Sequence, residues 1–246
     1  MKRVFSTYRR VLWTYARWAP TLIVLATIVF VPLGLVHAIT IHAEIGSLDI
    51  ESGLRVFAAA TAIAALVATG LLGEVFYTGA VAISLTHPHG DRPPSLREIA
   101  RTIKYRQLIA IDLLYGAIVA IGLVLLVAPG VAAFVWFGLA APVVEIERRG
   151  VRAAFARSVQ LVHRSFWVVL AVLVPIEILG STLTGLTTAL AHDLLGETLL
   201  SKWLADTLAN VAFTPFYAVA AVLLTVDLIH RTEGAGPALH SKPVRA

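Results

Sequence analysis

Six apolar runs, each as long or nearly as long as a bilayer is thick, follow one another along this chain and take up most of it. They lie at residues 18–39, 56–84, 108–127, 131–146, 166–190 and 204–229. A helix needs about 20 mostly apolar residues to span the hydrocarbon core. In lipid its backbone N–H and C=O groups must be satisfied within the segment itself. Composition leaves no soluble alternative. Hydrophobic residues make up 58% of the chain and charged residues 14%, with a mean hydropathy of +0.83. A soluble domain is about a quarter charged, and one of this length needs a polar surface that the chain cannot supply. An ordinary soluble enzyme and a disordered chain are both excluded. The absence of cysteine removes disulfides, thiolate metal sites and cysteine nucleophiles.

The placement of charge predicts orientation. Lys and Arg collect on the cytoplasmic side of bacterial membrane proteins. Here 18 of the 20 basic residues fall on one side of a six-span layout. Lys2, Arg3, Arg9, Arg10 and Arg17 precede the first run, and Arg92, Arg97, Arg101, Lys104 and Arg106 lie between the second and third. Arg148, Arg149, Arg152, Arg157 and Arg164 lie between the fourth and fifth, and Arg231, Lys242 and Arg245 follow the sixth. Arg55 and Lys202 remain for the other side, beside Glu44, Asp49, Glu51, Asp193 and Glu197. An even number of spans, with both termini in the cytoplasm of a bacterial cell, satisfies every loop. A cleavable signal peptide is the alternative for the N-terminus, with Val36-His37-Ala38 as its cleavage site. The first run is longer than a signal core of roughly 7–15 residues, and the charged stretch before it is long.

Three basic segments show helical spacing. Val4, Phe5, Tyr8, Leu12 and Tyr15 form the first apolar stripe; Leu96, Ile99, Ala100 and Ile103 the second; Val151, Ala154, Phe155, Val159 and Val162 the third. Ser95 and Glu98 have the spacing of a capping box. Apolar stripes with basic faces lie flat at the headgroup level. The predicted fold is thus an all-α polytopic membrane protein, with six transmembrane helices arranged as three hairpins, each preceded by a basic amphipathic interfacial helix. Pro129-Gly130 is the expected turn between the third and fourth spans. Residues 231–246, which lack apolar periodicity, are expected to form a flexible tail. The three units enter from the same side, unlike the inverted repeats of many transporters.

From Ala128 to Leu170 the chain reads Pro129-Gly130, an apolar span, Ala141-Pro142, Glu145, Gly150, Ala153-Ala154, Ser158, Leu161 and Phe166-Trp167. This segment resembles the membrane domain of some glycerophosphodiester phosphodiesterases and of related six-span bacterial proteins. The resemblance implies a membrane scaffold. It does not imply the esterase: the His-Arg-Gly of that family's catalytic barrel has no counterpart, since His163-Arg164 is followed by Ser165 and His230-Arg231 by Thr232.

Ionisable groups inside spans cost roughly 2.5–3.5 kcal/mol each at a helix centre, so each needs a reason. Glu177 lies near the middle of the fifth span, just after Pro175; Glu74, Asp112, Glu145 and Asp227 fall in the cytoplasmic halves of others. They are read either as structural carboxyls and ion pairs or as a polar site for a cation, a proton or a lipid headgroup. Arg9, Arg10, Arg17, Arg97, Arg101, Lys104, Arg152, Arg157 and Arg164 are the candidates for contact with anionic headgroups, arginine being suited to phosphate. His87-Pro88-His89-Gly90-Asp91 reads as a turn rather than a chelate. His37, His42, Glu44, His192 and Asp193 lie on the outer side, and a metal there is the less favoured reading. Small residues crowd the second span (Ala58, Ala59, Ala60, Ala62, Ala64, Ala65, Ala68, Gly70, Gly73), which predicts close helix packing. No nucleophile elbow, phosphate loop or zinc helix occurs. The expectation is a non-enzymatic scaffold or partner protein of the bacterial cytoplasmic membrane, without metal or cofactor. Its expected partners are membrane lipids with anionic headgroups, then another membrane protein or a second copy of the chain, and not nucleic acid. A small transporter or lipid-handling protein using the intramembrane carboxylates is the alternative.

Overall fold

The computed structural model describes residues 2–42, 73–86, 95–196 and 198–233. Among them all regular structure is helical, and five stretches are long and apolar enough to cross a membrane: Val4–Leu35, Tyr105–Leu125, Val127–Ile146, Phe166–Leu195 and Leu199–Thr232. The chain is thus a multi-pass helical membrane protein by length and composition. The helices are α1 (Lys2–His42), α2 (Glu74–Thr86), α3 (Leu96–Thr102), α4 (Tyr105–Leu125), α5 (Val127–Phe137), α6 (Ala140–Ile146), α7 (Val151–His163), α8 (Phe166–Leu195) and α9 (Leu199–Glu233).

α9 is the centre of the bundle. Every residue from Tyr217 to Val226 is buried, as expected of a helix that is apolar all round. α1, α2 and α8 pack against it. α1 runs antiparallel to α9: Tyr15 stacks on Phe216 with ring centroids 4.1 Å apart, and farther along Trp203 Nε1 donates to the Val31 carbonyl at 3.0 Å. α8 and α9 are sequence neighbours and spatial neighbours, as are α4 and α5. The main partner of α1, by contrast, is α9 rather than α2. Residues 43–72, with the first part of the second predicted span and all of its small-residue stripe except Gly73, lie outside the described residues, as do His87–Asp91 and the tail from residue 234. The described part of that span starts at Glu74, after a Gly73 with φ of 90° that no α-helix accommodates.

The structure corrects three sequence expectations. The first basic segment is not a separate interfacial helix. It continues without a break through Arg17-Trp18 into the first span as one 41-residue helix. The face it buries holds Val4, Tyr8 and Tyr15 of the expected stripe but not Phe5 or Leu12. Val11 and Thr14 are buried and Val4, Tyr8, Tyr15 and Trp18 partly so, while Phe5 and Leu12 are 76% and 57% exposed. The turn between the third and fourth spans falls at Leu126, which is extended (φ −166°, ψ 149°), and not at Pro129-Gly130. Pro129 sits instead in the first turn of α5, where a helix has no use for its missing N–H. The fourth span is two helices, α5 and α6, separated at Gly138-Leu139. Pro142 supplies the reason: it cannot donate to the Gly138 carbonyl four residues back, and its ring would strike it.

Other expectations hold locally. Ser95 caps α3 as a full capping box: its Oγ accepts from the Glu98 N–H at 3.3 Å, and its N–H donates to Glu98 Oε2 at 2.7 Å. α7 buries Ala154 and Val162 of its predicted stripe, with Phe155 partly covered. α3 is a short helix of 7 residues that buries only Ile99.

Candidate functional site

The five carboxylates singled out in the apolar runs separate into three settings. Asp227 is half-exposed and pairs with Arg231 one turn on, at 2.8 Å. Glu145, 2% exposed in α6, accepts the Lys104 N–H at 2.9 Å through Oε1 and so fixes the start of α4, while its Oε2 is buried without a hydrogen-bond partner. Both belong to the joints of the bundle.

Glu74 and Asp112 come together. Glu74 opens α2, Asp112 lies on the buried face of α4, and Glu177 lies on α8 two residues after Pro175. Glu74 is within electrostatic reach of both Asp112 and Glu177. Asp112 acts as an N-cap supplied by another helix. Its Oδ2 accepts the Gly73 N–H at 2.7 Å, and the Phe76 N–H in the first turn of α2 faces the same carboxylate. Its Oδ1 is buried and has no hydrogen-bond partner. Glu177 accepts from Ser181 Oγ, one turn on, at 3.4 Å.

An aromatic group adjoins the carboxylates. Tyr115 of α4 and Tyr217 of α9 are both buried and flank the Phe134 ring. Tyr115 Oη donates to the Phe134 carbonyl at 3.4 Å, and the Phe134 ring lies 6.2 Å from Tyr115 and 5.8 Å from Tyr217. Sequence reading passed over these two tyrosines. The available signal was a phenol one helical turn after Asp112, and a second just after Pro215, each inside an apolar run.

The basic residues lie at the other kind of surface. Arg9, Arg10, Arg17, Arg97, Arg101, Arg152 and Arg164 are exposed, and Lys104 is half-exposed. Arg157 is the exception at 7% exposure. Its Nε donates to Glu147 at 3.0 and 3.2 Å and its Nη1 to Gln160 at 2.8 Å. Glu147, which also pairs with Arg149, was missed in the sequence; a lone acid in a basic loop was its signal. Three tryptophans accompany the exposed arginines. Trp167 at the start of α8 is 77% exposed, Trp13 is 40% exposed with the Arg17 guanidinium 5.6 Å from its ring centroid, and Trp136 is 39% exposed beside Phe166.

At the far end of the bundle the surface changes character: Leu125, Leu126 and Val127 at the α4–α5 turn are each about 70% exposed. His192 and Asp193 lie exposed near the end of α8, Nδ1 and Oδ1 3.8 Å apart. Among the described residues no three His, Asp or Glu side chains are grouped closely enough to hold a metal ion. Comparison with protein-family models, with characterised proteins and with solved structures returned no match for this chain.

Proposed function

We propose that this is a non-enzymatic protein of the bacterial cytoplasmic membrane, with both termini in the cytoplasm, that acts as a scaffold or partner protein and binds anionic lipid through its basic end. The observation that carries this reading is the belt in which exposed arginines and exposed tryptophans occur together. Tryptophan favours the membrane–water interface, and each Arg or Lys near an anionic leaflet contributes about 1 kcal/mol. The resemblance of residues 128–170 to the membrane domain of glycerophosphodiester phosphodiesterases supports the scaffold role.

The contrast between Arg157 and its neighbours gives the test. In nanodiscs that mix anionic and zwitterionic lipids, the triple variant Arg97→Gln, Arg101→Gln, Lys104→Gln is expected to lose about 3 kcal/mol of preference for anionic lipid. That is roughly a hundredfold in the lipid retained under native mass spectrometry. Arg157→Gln is expected to leave retention unchanged and to lower thermal stability, because it strips a buried partner from Glu147 and Gln160. Equal retention by the triple variant and the wild type would reject the lipid-binding role. Orientation is tested separately. The chain has no cysteine, so a single Cys placed at position 97 should resist a membrane-impermeant maleimide in intact cells and react after lysis. Reaction in intact cells would reverse the topology.

A second reading, a small transporter or lipid-handling protein, is favoured by one observation: two carboxylates, Glu74 and Asp112, are buried on neighbouring helices inside the bundle.

A further inference from the structure

We propose that Tyr8 is a latch between α1 and α8. Its hydroxyl stands in for the N–H that Pro175 lacks, and while it does so the arm of α8 beyond Pro175 is held in place. The latch is independent of lipid binding and of the carboxylates.

In an α-helix each N–H donates to the carbonyl four residues back. Pro175 lies inside α8 and has no N–H, so the Ala171 carbonyl loses its helical donor. In a membrane protein a backbone group freed by proline is re-satisfied by a neighbouring helix or side chain. Here α1, which packs against α8, supplies the donor. Tyr8 Oη donates to the Ala171 carbonyl at 3.0 Å, with the Val172 carbonyl 3.2 Å away. The phenol thus reaches the carbonyl that the proline vacates, from 163 positions away in the chain. Tyr8 is partly buried in this joint and Val172 fully so.

Pro175 also marks a change in how α8 is anchored. Val169, Val172, Leu173 and Ile176 are buried, whereas no residue from Glu177 to Leu195 is. Ile178, Leu179, Leu186, Leu190 and Leu194 are all exposed. The arm rests on α9 at Gly180, where an added Cβ would lie 3.3 Å from Phe213. Helices bend where the hydrogen-bond ladder is interrupted, above all at proline. An anchored root, a lightly held arm and a missing rung between them make Pro175 a pivot, and Tyr8 bridges the missing rung. The exposed Arg9 and Arg10 follow Tyr8 directly. A pull on that basic end opens the latch, strips the Ala171 carbonyl of its donor and frees the arm to swing.

A double-mutant cycle on the full-length protein, unfolded from detergent by sodium dodecyl sulfate, tests the latch. Tyr8→Phe removes the hydroxyl and keeps the ring. It is expected to raise the unfolding equilibrium constant about tenfold, the effect of leaving a covered carbonyl without a donor. Pro175→Ala restores an N–H at the missing rung. In that background Tyr8→Phe is expected to change the constant by less than about twofold. The same penalty in both backgrounds would show that the hydroxyl does not serve the carbonyl freed by Pro175, and overturns the proposal. The swing of the arm is read separately. The chain has no cysteine, so spin labels can be carried by Leu190→Cys on α8 and Leu208→Cys on α9, both exposed positions. Their distance distribution is expected to broaden on adding Tyr8→Phe and to narrow again on adding Pro175→Ala. A distribution that Tyr8→Phe leaves unchanged overturns the latch even if the Pro175→Ala protein fails to fold.

Discussion

Gly130→Ala, a change of one methyl group, is expected to destabilise the protein by about 1–3 kcal/mol through overpacking. α4 and α5 approach each other backbone to backbone at their turn. A Cβ on Gly130 would lie 2.7 Å from the Leu123 backbone nitrogen and 2.5 Å from the Leu123 side chain, and a Cβ on Gly122 would lie 2.8 Å from Gly130 Cα. Backbone cannot rotate out of the way as a side-chain tip can, so the hairpin has to open. Gly122→Ala should cost a similar amount, and the double variant should cost less than the sum, because both relieve the clash by the same separation of helices. Gly185→Ala in α8 is the control. A Cβ there meets nothing within 4 Å, and the helix gains up to about 1 kcal/mol from losing a glycine. Unfolding of detergent-solubilised protein in rising sodium dodecyl sulfate would measure all four. A Gly130→Ala midpoint at or above the wild type would show that the two helices are not held at this distance.

Asp112→Ala is the second large effect, expected at about 2–3 kcal/mol. The Gly73 N–H loses its acceptor inside the bundle, and an unsatisfied buried donor costs about 1–3 kcal/mol, with the loss of a helix cap as a related measure. Asp112→Asn keeps a carbonyl oxygen in place and should recover most of that loss. Hydrogen exchange localises the effect: the first turn of α2, from Glu74 to Tyr77, should lose protection in the alanine variant, while α7 keeps its own. Equal stability of the alanine and asparagine variants would show that the carboxylate oxygen does not secure the start of α2.

What the sequence reveals and what it hides follow from how far each signal reaches. Local signals translate directly. The Ser95–Glu98 box and the stripe of α7 depend on residues three or four positions apart, and both are present. Breaks within apolar runs were harder to place. Pro129-Gly130 has the composition of a turn, but proline is equally at home in the first turn of a helix, and only the extended Leu126 shows which role it takes. At the N-terminus the expected stripe was wider than the face that is covered. Tyr8 and Tyr15 of that stripe are covered while Phe5 and Leu12 are not, and the covering partner of Tyr15 is Phe216 of α9, which no local window contains. The acidic candidates show the same division. Residue type and depth singled out five, but which of them become neighbours depends on the packing of α2 against α4. Thr198 and Ser201 bind each other's backbone N–H groups at 3.2 and 3.1 Å and begin α9 five residues ahead of the expected start at Leu204.

The unbroken first helix has a mechanical meaning. At 1.5 Å per residue its 41 residues extend about 60 Å, roughly twice the hydrocarbon thickness of a bilayer. Such a rod is a lever. Pro20 and Pro32 are interior weak points, where the backbone ladder lacks a donor. Torque applied at Arg9 and Arg10 is therefore delivered along the same element to Val31, where Trp203 is fastened. The basic end and the opposite end of the bundle are thus joined by one continuous helix, with Pro20 as the joint between them.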